Sequence, residues 1–550
     1  MPLVITALVI FLITYLFIGL RQIPRIHIDR PAGALVGAVL MIVTGVLTLD
    51  QAFAAIDLHT LLLLLGMMII TVYLRIAGFF ELMAGRILSM SKTPFQLLVF
   101  ITVSSGILSA LFVNDTICLL YTPIVLAMTT QLSVNPVPYL LSLAMASNIG
   151  GAMTVTGNPQ NMLIGIYSNI PYLSFLGALF PVAVIGFGVS IMVIRLVYRK
   201  NIGNEPFGRR PAMPSYEMNR PLLVKALVVC GGVLAAFSLG YPYSLTAIAG
   251  AVCLMLIGGV RTERVLEGVD WTLLLFFSGL FVVMHGVEVS GLAGSVIGKA
   301  GDLTALSPAG RIAGLSVVSA VLSNVVSNVP AVMLLKPFVE SLGGDRFAWL
   351  ALAMSSTLAG NLTLIGSVAN LIVVQQARKQ VEIGFLEYLR VGALITIITI
   401  AVGIVVLVVE VRVAQGAETA AVQATKDAKE MTITVTPADR QGIARTYRVV
   451  LLCDTDERQL RGLQGFRQLA ADEAALFPYE KPTAVTFWMG SVSFPLDIIF
   501  VLPDGTVSRI YRDRKPRQID TYPSGAAVRW VVETAAGSGI KEGDRISISR

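Results

Sequence analysis

Cysteine, histidine and charge are all scarce in this 550-residue chain, and each scarcity excludes something. The four cysteines are scattered, with Cys118, Cys230 and Cys253 in apolar runs and Cys453 alone near the C-terminal end. That spacing excludes a disulfide framework and a cysteine-based zinc site. The three histidines, His27, His59 and His285, share no metal-ligand spacing, so no resident metal or cofactor is expected. Charged residues make up 14% of the chain and hydrophobic ones 55%, which excludes an ordinary soluble protein. No P-loop is present, so energy for vectorial work must come from an ion gradient or a separate partner. The net charge of +7 does not mark a nucleic-acid binder, because much of it sits in short loops beside apolar runs, where it sets membrane orientation.

What charge there is concentrates after Val411. Before that point, apolar runs close to the ~20 residues needed to cross a bilayer predict membrane spans. They fall at 3–20, 32–48, 59–77, 138–166 and 172–197, then at 221–239, 243–260, 271–289, 348–374 and 386–410. The opening MPLVITALVIFLITYLFIGL lacks a basic leader and an A-x-A cleavage site, and Arg21, Arg25 and Arg30 follow it. It is expected to be a retained span with its N-terminus outside. Weakly amphipathic stretches (78–93 and 290–306) follow the third span of each half. Next come apolar segments interrupted by polar residues, 95–130 and 310–341. Each is too long for one span and too short for two, which predicts a re-entrant hairpin whose tip is satisfied by protein or a wet cavity.

Two segments are said twice. AMASNIGGAMTVTGNPQN (144–161) aligns without gaps with AMSSTLAGNLTLIGSVAN (353–370), and ILSALFVNDTICLLYTP (107–123) with VLSNVVSNVPAVMLLKP (321–337). The first pair places Gly and small polar residues where a span should be plain Leu and Val, which points to a broken helix facing a ligand. Packing of the small-xxx-small kind accounts for Gly150, Gly151 and Gly157. It does not account for Asn148, Thr154, Thr156, Asn158, Gln160 and Asn161 together, nor for the echo in Asn361, Thr363, Ser367 and Asn370.

Five spans and one hairpin per half require the second repeat to be inverted. Arg86, Lys92, Arg195, Arg199, Lys200, Arg209, Arg210, Arg261, Arg264, Arg378 and Lys379 then fall on cytoplasmic loops, with Lys299 the main exception. The expected organisation is repeat 1 at 1–200, a cytoplasmic linker at 201–220 and inverted repeat 2 at 221–411. A linker (412–437) and an extracytoplasmic β-rich domain (438–550) complete it, in an all-α polytopic protein.

Asp115 is an acidic residue at membrane depth, so it is a candidate for binding H⁺ or Na⁺, though Asp also serves as an ordinary N-cap. Asn offers donors and an acceptor without charge, which suits both a substrate oxygen and a cation. A Na⁺ site is expected, if anywhere, among Asn114, Asp115 and Asn328. Arg75, His285 and Glu288, at span ends, read as interface groups, and Lys336 as either an anion contact or a snorkelling cation.

SNIGGAMTVTGNPQNMLIG, VNDTICLLYTPIVL and LSNVVSNVPAVMLL resemble the hallmarks of the ion transporter superfamily. That group spans arsenite-pump permeases, NhaD-type antiporters, citrate permeases and divalent-anion symporters, and the arsenite-pump/citrate-permease branch is the most similar. The resemblance covers about residues 1–411. It implies two inverted repeats, each with a hairpin and a discontinuous helix, and a homodimer. It also implies a site lined by Asn114, Asp115, Thr116, Ser147, Asn148, Thr154, Thr156, Gly157, Asn158 and Asn161, with Ser323, Asn324, Ser327, Asn328, Thr363, Gly366, Ser367 and Asn370 from the other half. The hairpin tips depart from the Ser-Asn-Thr of the divalent-anion symporters, so dicarboxylate specificity does not carry over.

RGLQGF, FWMGSVSFPLDIIFVLPDG and KEGDRI resemble a widespread bacterial domain family of unknown function, mostly β. There Trp488, Met489 and Asp497 either line a groove or serve as core and turn residues. No nucleophile–base pair is visible in this tail.

The expected function is a bacterial inner-membrane secondary transporter of a small anion or oxyanion, coupled to Na⁺ or H⁺, and not an enzyme. Two other readings stay open: a Na⁺/H⁺ antiporter, and the membrane subunit of an arsenite pump, which alone would need an ATPase partner.

Overall fold

The computed structural model describes residues 2–19, 29–207, 218–291, 306–342, 344–428, 431–439, 443–455, 458–459, 462–463, 466, 468–489, 492–516 and 520–549. Arg21, Arg25, His27, Arg209, Arg210, Lys299, Arg461 and nearly all of the 290–306 stretch lie outside these residues. The chain divides into two units, 1–411 and 412–550.

Unit 1 is helical. Its first half holds α1 (Pro2–Gly19), α2 (Arg30–Val43), α3 (Leu49–Ala54), α4 (Leu58–Ile76), α5 (Phe79–Met90), α6 (Pro94–Leu111), α7 (Asn114–Gln131), α8 (Val137–Ala152), α9 (Pro159–Ser168) and α10 (Tyr172–Val197). The second half repeats this order among its described residues, the position of α5 falling outside them. It holds α11 (Arg220–Ser238), α12 (Tyr243–Ile257), α13 (Thr262–Leu266), α14 (Trp271–Val289), α15 (Pro308–Val326), α16 (Asn328–Ser341), α17 (Arg346–Ala359), α18 (Val368–Ala377) and α19 (Phe385–Ala428). Among the described residues seven helices are long and apolar enough to cross a bilayer. The expected spans 138–166 and 348–374 are each two helices with a break, and the interrupted segments are helical pairs, α6–α7 and α15–α16.

Local chemistry sets many of these boundaries. Asp57 caps α4 by accepting from Thr60 N at 3.0 Å, and Asp270 caps α14 by accepting from Leu273 N at 3.1 Å. Thr48 and Gln51 form a reciprocal capping box on α3, a short helix in the stretch between the expected spans 32–48 and 59–77, which the hydropathy pattern reads as a loop. At the second hairpin tip the backbone of Ser327 has φ 72°, a left-handed value that a side chain disfavours and that tertiary packing must enforce.

The two halves interlock reciprocally. α2 of the first half packs on α14 of the second, and α12 of the second packs on α4 of the first. Glycine permits both crossings. A Cβ on Gly66 would sit 2.6 Å from the carbonyl carbon of Ala247, and one on Gly279 would sit 2.8 Å from that of Ala34. Each lies at the same position of its helix, so one contact is built twice.

Unit 2 contains β1 (Thr432–Thr436), β2 (Arg445–Leu452), β3 (Glu473–Thr483), β4 (Thr486–Trp488), β5 (Leu496–Val501), β6 (Val507–Arg514), β7 (Thr521–Pro523), β8 (Val528–Ala535) and β9 (Arg545–Ser549). Seven form one sheet in the order β6-β5-β8-β3-β2-β1-β9, antiparallel except for β2 with β3, while β4 pairs β7. Asp497 is fully buried and accepts from Asp513 N, Gly537 N, Ser538 N and the Ser538 hydroxyl, so it holds a turn. Met489 is core and Trp488 is exposed. Of the two readings of these residues, core and turn fits Met489 and Asp497.

Glycine at the crossings predicts that Gly66→Val and Gly279→Val each cost about 1–3 kcal/mol by overpacking. Gly177→Val, with nothing within 4 Å of the added Cβ, should melt like the parent in detergent. In unit 2, Glu533 on β8 is buried with its Oε2 lacking a partner, and burial pushes its carboxyl up from 4.5 to about 8. The folded state therefore holds a proton that the unfolded chain releases. Its stabilisation is complete below pH 4.5 and is lost as pH rises to about 8, by up to about 1.4 kcal/mol per unit. Corrected hydrogen-exchange protection of the β8 amides in the full chain should fall across that window, and Glu533→Gln should flatten the dependence.

Candidate functional site

Both broken helices are stapled by one asparagine each. Where α8 ends, the carbonyls of Gly151, Ala152 and Thr154 lose their helical partners. The Asn161 carboxamide donates to all three, at 3.0, 3.2 and 2.9 Å. Asn370 does the same in the other half, donating to Gly360 O at 2.7 Å and Thr363 O at 3.1 Å. These pairs align in the repeat, so the staple is duplicated. It also needs glycine: a Cβ on Gly157 would lie 2.2 Å from Gly151 O, and one on Gly366 would lie 3.0 Å from Gly360 O.

Other expected site residues tie the breaks to the hairpins. Thr154 and Thr156 donate to Ala110 O at the end of α6, and Thr156 also meets the Tyr172 hydroxyl at 3.4 Å. Asn324 donates to Ala320 O and Ala359 O, each at 3.0 Å, and accepts from the Thr363 hydroxyl at 3.2 Å. Ser147 bonds Ala144 O and the Cys118 thiol within its own half.

The two halves meet through carboxamides. Asn148 accepts from Asn114 Nδ2 at 3.0 Å and the Ser367 hydroxyl at 3.1 Å, and donates to Asn361 Oδ1 at 2.9 Å and Asn370 Oδ1 at 3.1 Å. Its counterpart in the repeat, Thr357, accepts from Asn158 Nδ2 at 3.2 Å and Gln160 Nε2 at 3.1 Å and donates to Asn161 Oδ1 at 3.4 Å. With its amide nitrogen turned to the carbonyls, Asn328 donates to Ser356 O at 3.0 Å and Gly366 O at 3.2 Å, and accepts from Gln160 at 3.3 Å. Every member is buried, where an unpaired amide costs about 1–3 kcal/mol, so the network holds the breaks together as a unit.

Between the hairpin tips lies a cavity of about 30 Å³, lined by Asn114, Asp115, Gln160, Ser327, Asn328 and Ser367, with Phe276 and Phe277 on one wall. Four helices begin there: α7 at Asn114, α9 at Pro159, α16 at Asn328 and α18 at Val368. The positive ends of their dipoles meet at the cavity, whose lining holds no Lys or Arg. The Asp115 carboxylate, 7% exposed, lies against the backbone N–H of Ala369 in the first turn of α18. Its counterpart is Val329, which lines the same cavity, so the cavity has one acid and no mirror image of it.

Asn114, Asp115 and Asn328, the expected Na⁺ ligands, do share this cavity. Among the described residues no three His, Cys, Asp or Glu side chains converge as metal ligands. Of the expected lining residues, only Asn114, Asp115, Ser327, Asn328 and Ser367 line this cavity. Thr116, Ser147, Asn148, Thr154, Thr156, Gly157, Asn158, Asn161, Ser323, Asn324, Thr363, Gly366 and Asn370 do not, and most of them hold the breaks and hairpins instead. Thr357 escaped the sequence reading because a threonine in an apolar helix is unremarkable alone. Its alignment with Asn148 was the available signal.

A family model described as citrate transporter (CitMHS) matches residues 8–359, and one described as an uncharacterized ACR (DUF192) matches residues 437–548. A silicon efflux transporter of Oryza sativa subsp. japonica is 33% identical over 473 residues, covering 74% of this chain and 97% of that protein. An uncharacterized transporter of Mycobacterium tuberculosis is 32% identical over 426 residues, covering 72% and 98%. A Dictyostelium discoideum transporter named arsB is 25% identical over 516 residues, covering 73% and 91%. With apolar helices long enough to span a bilayer and paired broken helices at a common cavity, the chain belongs to the citrate transporter family within the ion transporter superfamily, as a multi-pass membrane transporter with a DUF192 domain at residues 437–548.

Proposed function

We propose that this transporter moves a small oxyanion or a closely related oxygen-rich inorganic acid by alternating access, coupled to Na⁺ or H⁺ at Asp115. The observation that carries the reading is the convergence of four helix N-termini on one cavity that also holds a single carboxylate. Helix starts attract oxygen-rich, negatively polarised groups. A bare Asp115 would repel the same groups, so substrate and carboxylate are compatible once the carboxylate carries a cation. Occupancy of one site then favours occupancy of the other, which is the thermodynamic content of coupling.

The relatives support the substrate class. One is named for silicon efflux and one arsB. The hairpin tips Val-Asn-Asp-Thr and Ser-Asn-Val, with only a small cavity between them, suit a compact inorganic group better than a long dicarboxylate. The positive-inside pattern supports two inverted repeats in a bacterial inner membrane with an outer N-terminus. An even number of spans then leaves unit 2 outside the cytoplasm.

Purified protein in proteoliposomes should take up silicate or arsenite in preference to citrate under an imposed Na⁺ or pH gradient. Asp115→Asn should lower gradient-driven flux by about tenfold or more, in the range of a lost coupling contact. Sodium-driven acidification with no flux of any of the three would favour the antiporter reading instead. For the tail, Cys453 is fully buried and is a poor reporter, whereas Ile443 is 89% exposed. An impermeant maleimide should label Ile443→Cys in intact spheroplasts, and protection there would place unit 2 in the cytoplasm.

A further inference from the structure

The duplicated architecture makes two contacts that should be equivalent and are not. Each broken helix ends against the hairpin of the other half. In α18, Gln376 donates to Leu119 O of the first hairpin at 3.0 Å, a neutral contact. The residue aligned with Gln376 is Tyr167, on α9. Over its ring sits Lys336 of the second hairpin, with Nζ 3.9 Å from the centroid.

The difference extends outward from that pair. The Asp57 carboxylate, the same group that caps α4, lies near the Tyr167 hydroxyl. Lys336 also lies 3.9 Å from Glu340 one turn along, and Glu288, which is paired with His285 at 3.5 Å, adds a further carboxylate in the same region. The residue aligned with Lys336 is Thr122, which only returns a bond to Cys118 O on its own helix. At one end of the bundle, then, α9, the second hairpin and the start of α4 are joined by a cation on an aromatic ring and a carboxylate. At the other end the polar contact is one amide–carbonyl bond, set on a broad packing of α18 against α7.

The charged end also opens onto the wider cavity. A space of about 420 Å³ is lined by His59, two residues after Asp57, and by Gly165 and Ile166, immediately before Tyr167. The floor of this space is α9, whose first turn lines the central cavity at Pro159 and Gln160. α9 therefore borders both spaces, one at each of its ends.

We propose that Lys336 and Tyr167, steadied by Asp57, form the gate latch at this end and set the resting balance between the two access states. They are positioning residues: neither lines the central cavity, and both act through the hairpin and the broken helix that do. α9 packs less broadly on the second hairpin than α18 does on the first, so closure at this end depends on the polar latch rather than on apolar contact. On the orientation expected from the flanking charges it is the outer end. The inference rests on alternating access at the site above but is independent of the substrate.

The test is labelling of Gln160→Cys in the full-length protein, in oriented vesicles, by an impermeant maleimide from each side, with no substrate added. Lys336→Thr, which copies the residue at the other end, should raise labelling from the latch side by about fivefold or more and lower it from the opposite side. Lys336→Arg, which keeps a cation over the ring, should stay near the parent. Gln376→Leu should shift labelling in the opposite sense. Should Lys336→Thr lose its thermal transition, Tyr167→Gln carries the same expectation. Unchanged two-sided labelling in Lys336→Thr or Tyr167→Gln, or a Lys336→Arg variant as open as Lys336→Thr, overturns the latch. Labelling from one side only in every variant would instead remove alternating access itself.

Discussion

A helix interrupted inside hydrocarbon sets free carbonyls and amides that no water can satisfy, and the remainder of unit 1 is arranged around meeting that demand. Asn161 and Asn370 take the freed carbonyls, and Gly157 and Gly366 let the chain turn back close enough for them to do so. Asn148 and Thr357 then lock each staple to the opposite half. The helices that restart beyond each break, α9 and α18, begin at the cavity, so how the breaks are held also sets which helix ends meet there.

Function arises where the duplication is broken. The staples, caps and crossings occur in pairs and build a frame with two equivalent ends. Asp115 against Val329, and Tyr167 with Lys336 against Gln376 with Thr122, are departures placed on that frame. One distinguishes the occupants of the cavity and the other distinguishes the ends. A transporter built from identical halves would have no preferred side, and a few substitutions suffice to supply one.

Much of this was legible in the sequence because a bilayer allows so few exceptions. Gly, Asn, Thr and Pro inside an apolar run signal an interrupted helix, and the two alignments located both breaks and both hairpins. Short helices such as α3 were not legible, since six residues carry too little periodicity to stand out from a loop. The latch was invisible for another reason. Tyr167 and Lys336 each look like an interface residue with a polar end, and only the fold brings them together. In unit 2 the alternating strands and turn signals announced a β domain, while the partnerless carboxyl of Glu533 required knowing which face of β8 is buried.

The reciprocal crossings carry a consequence for how the protein is made. At the Gly66 crossing α4 needs α12, and at the Gly279 crossing α14 needs α2, so at these two places each half uses a surface supplied by the other. During synthesis α4 enters the bilayer well before α12 exists, and its small-residue face waits there against lipid. Assembly of the first half is therefore deferred until the second is inserted, and the contacts that close the structure are among the most distant in the chain. Such an order makes folding slow and chaperone-sensitive. It also makes the two halves obligate companions, so that the polypeptide between them serves as the tether keeping an intramolecular dimer at high effective concentration.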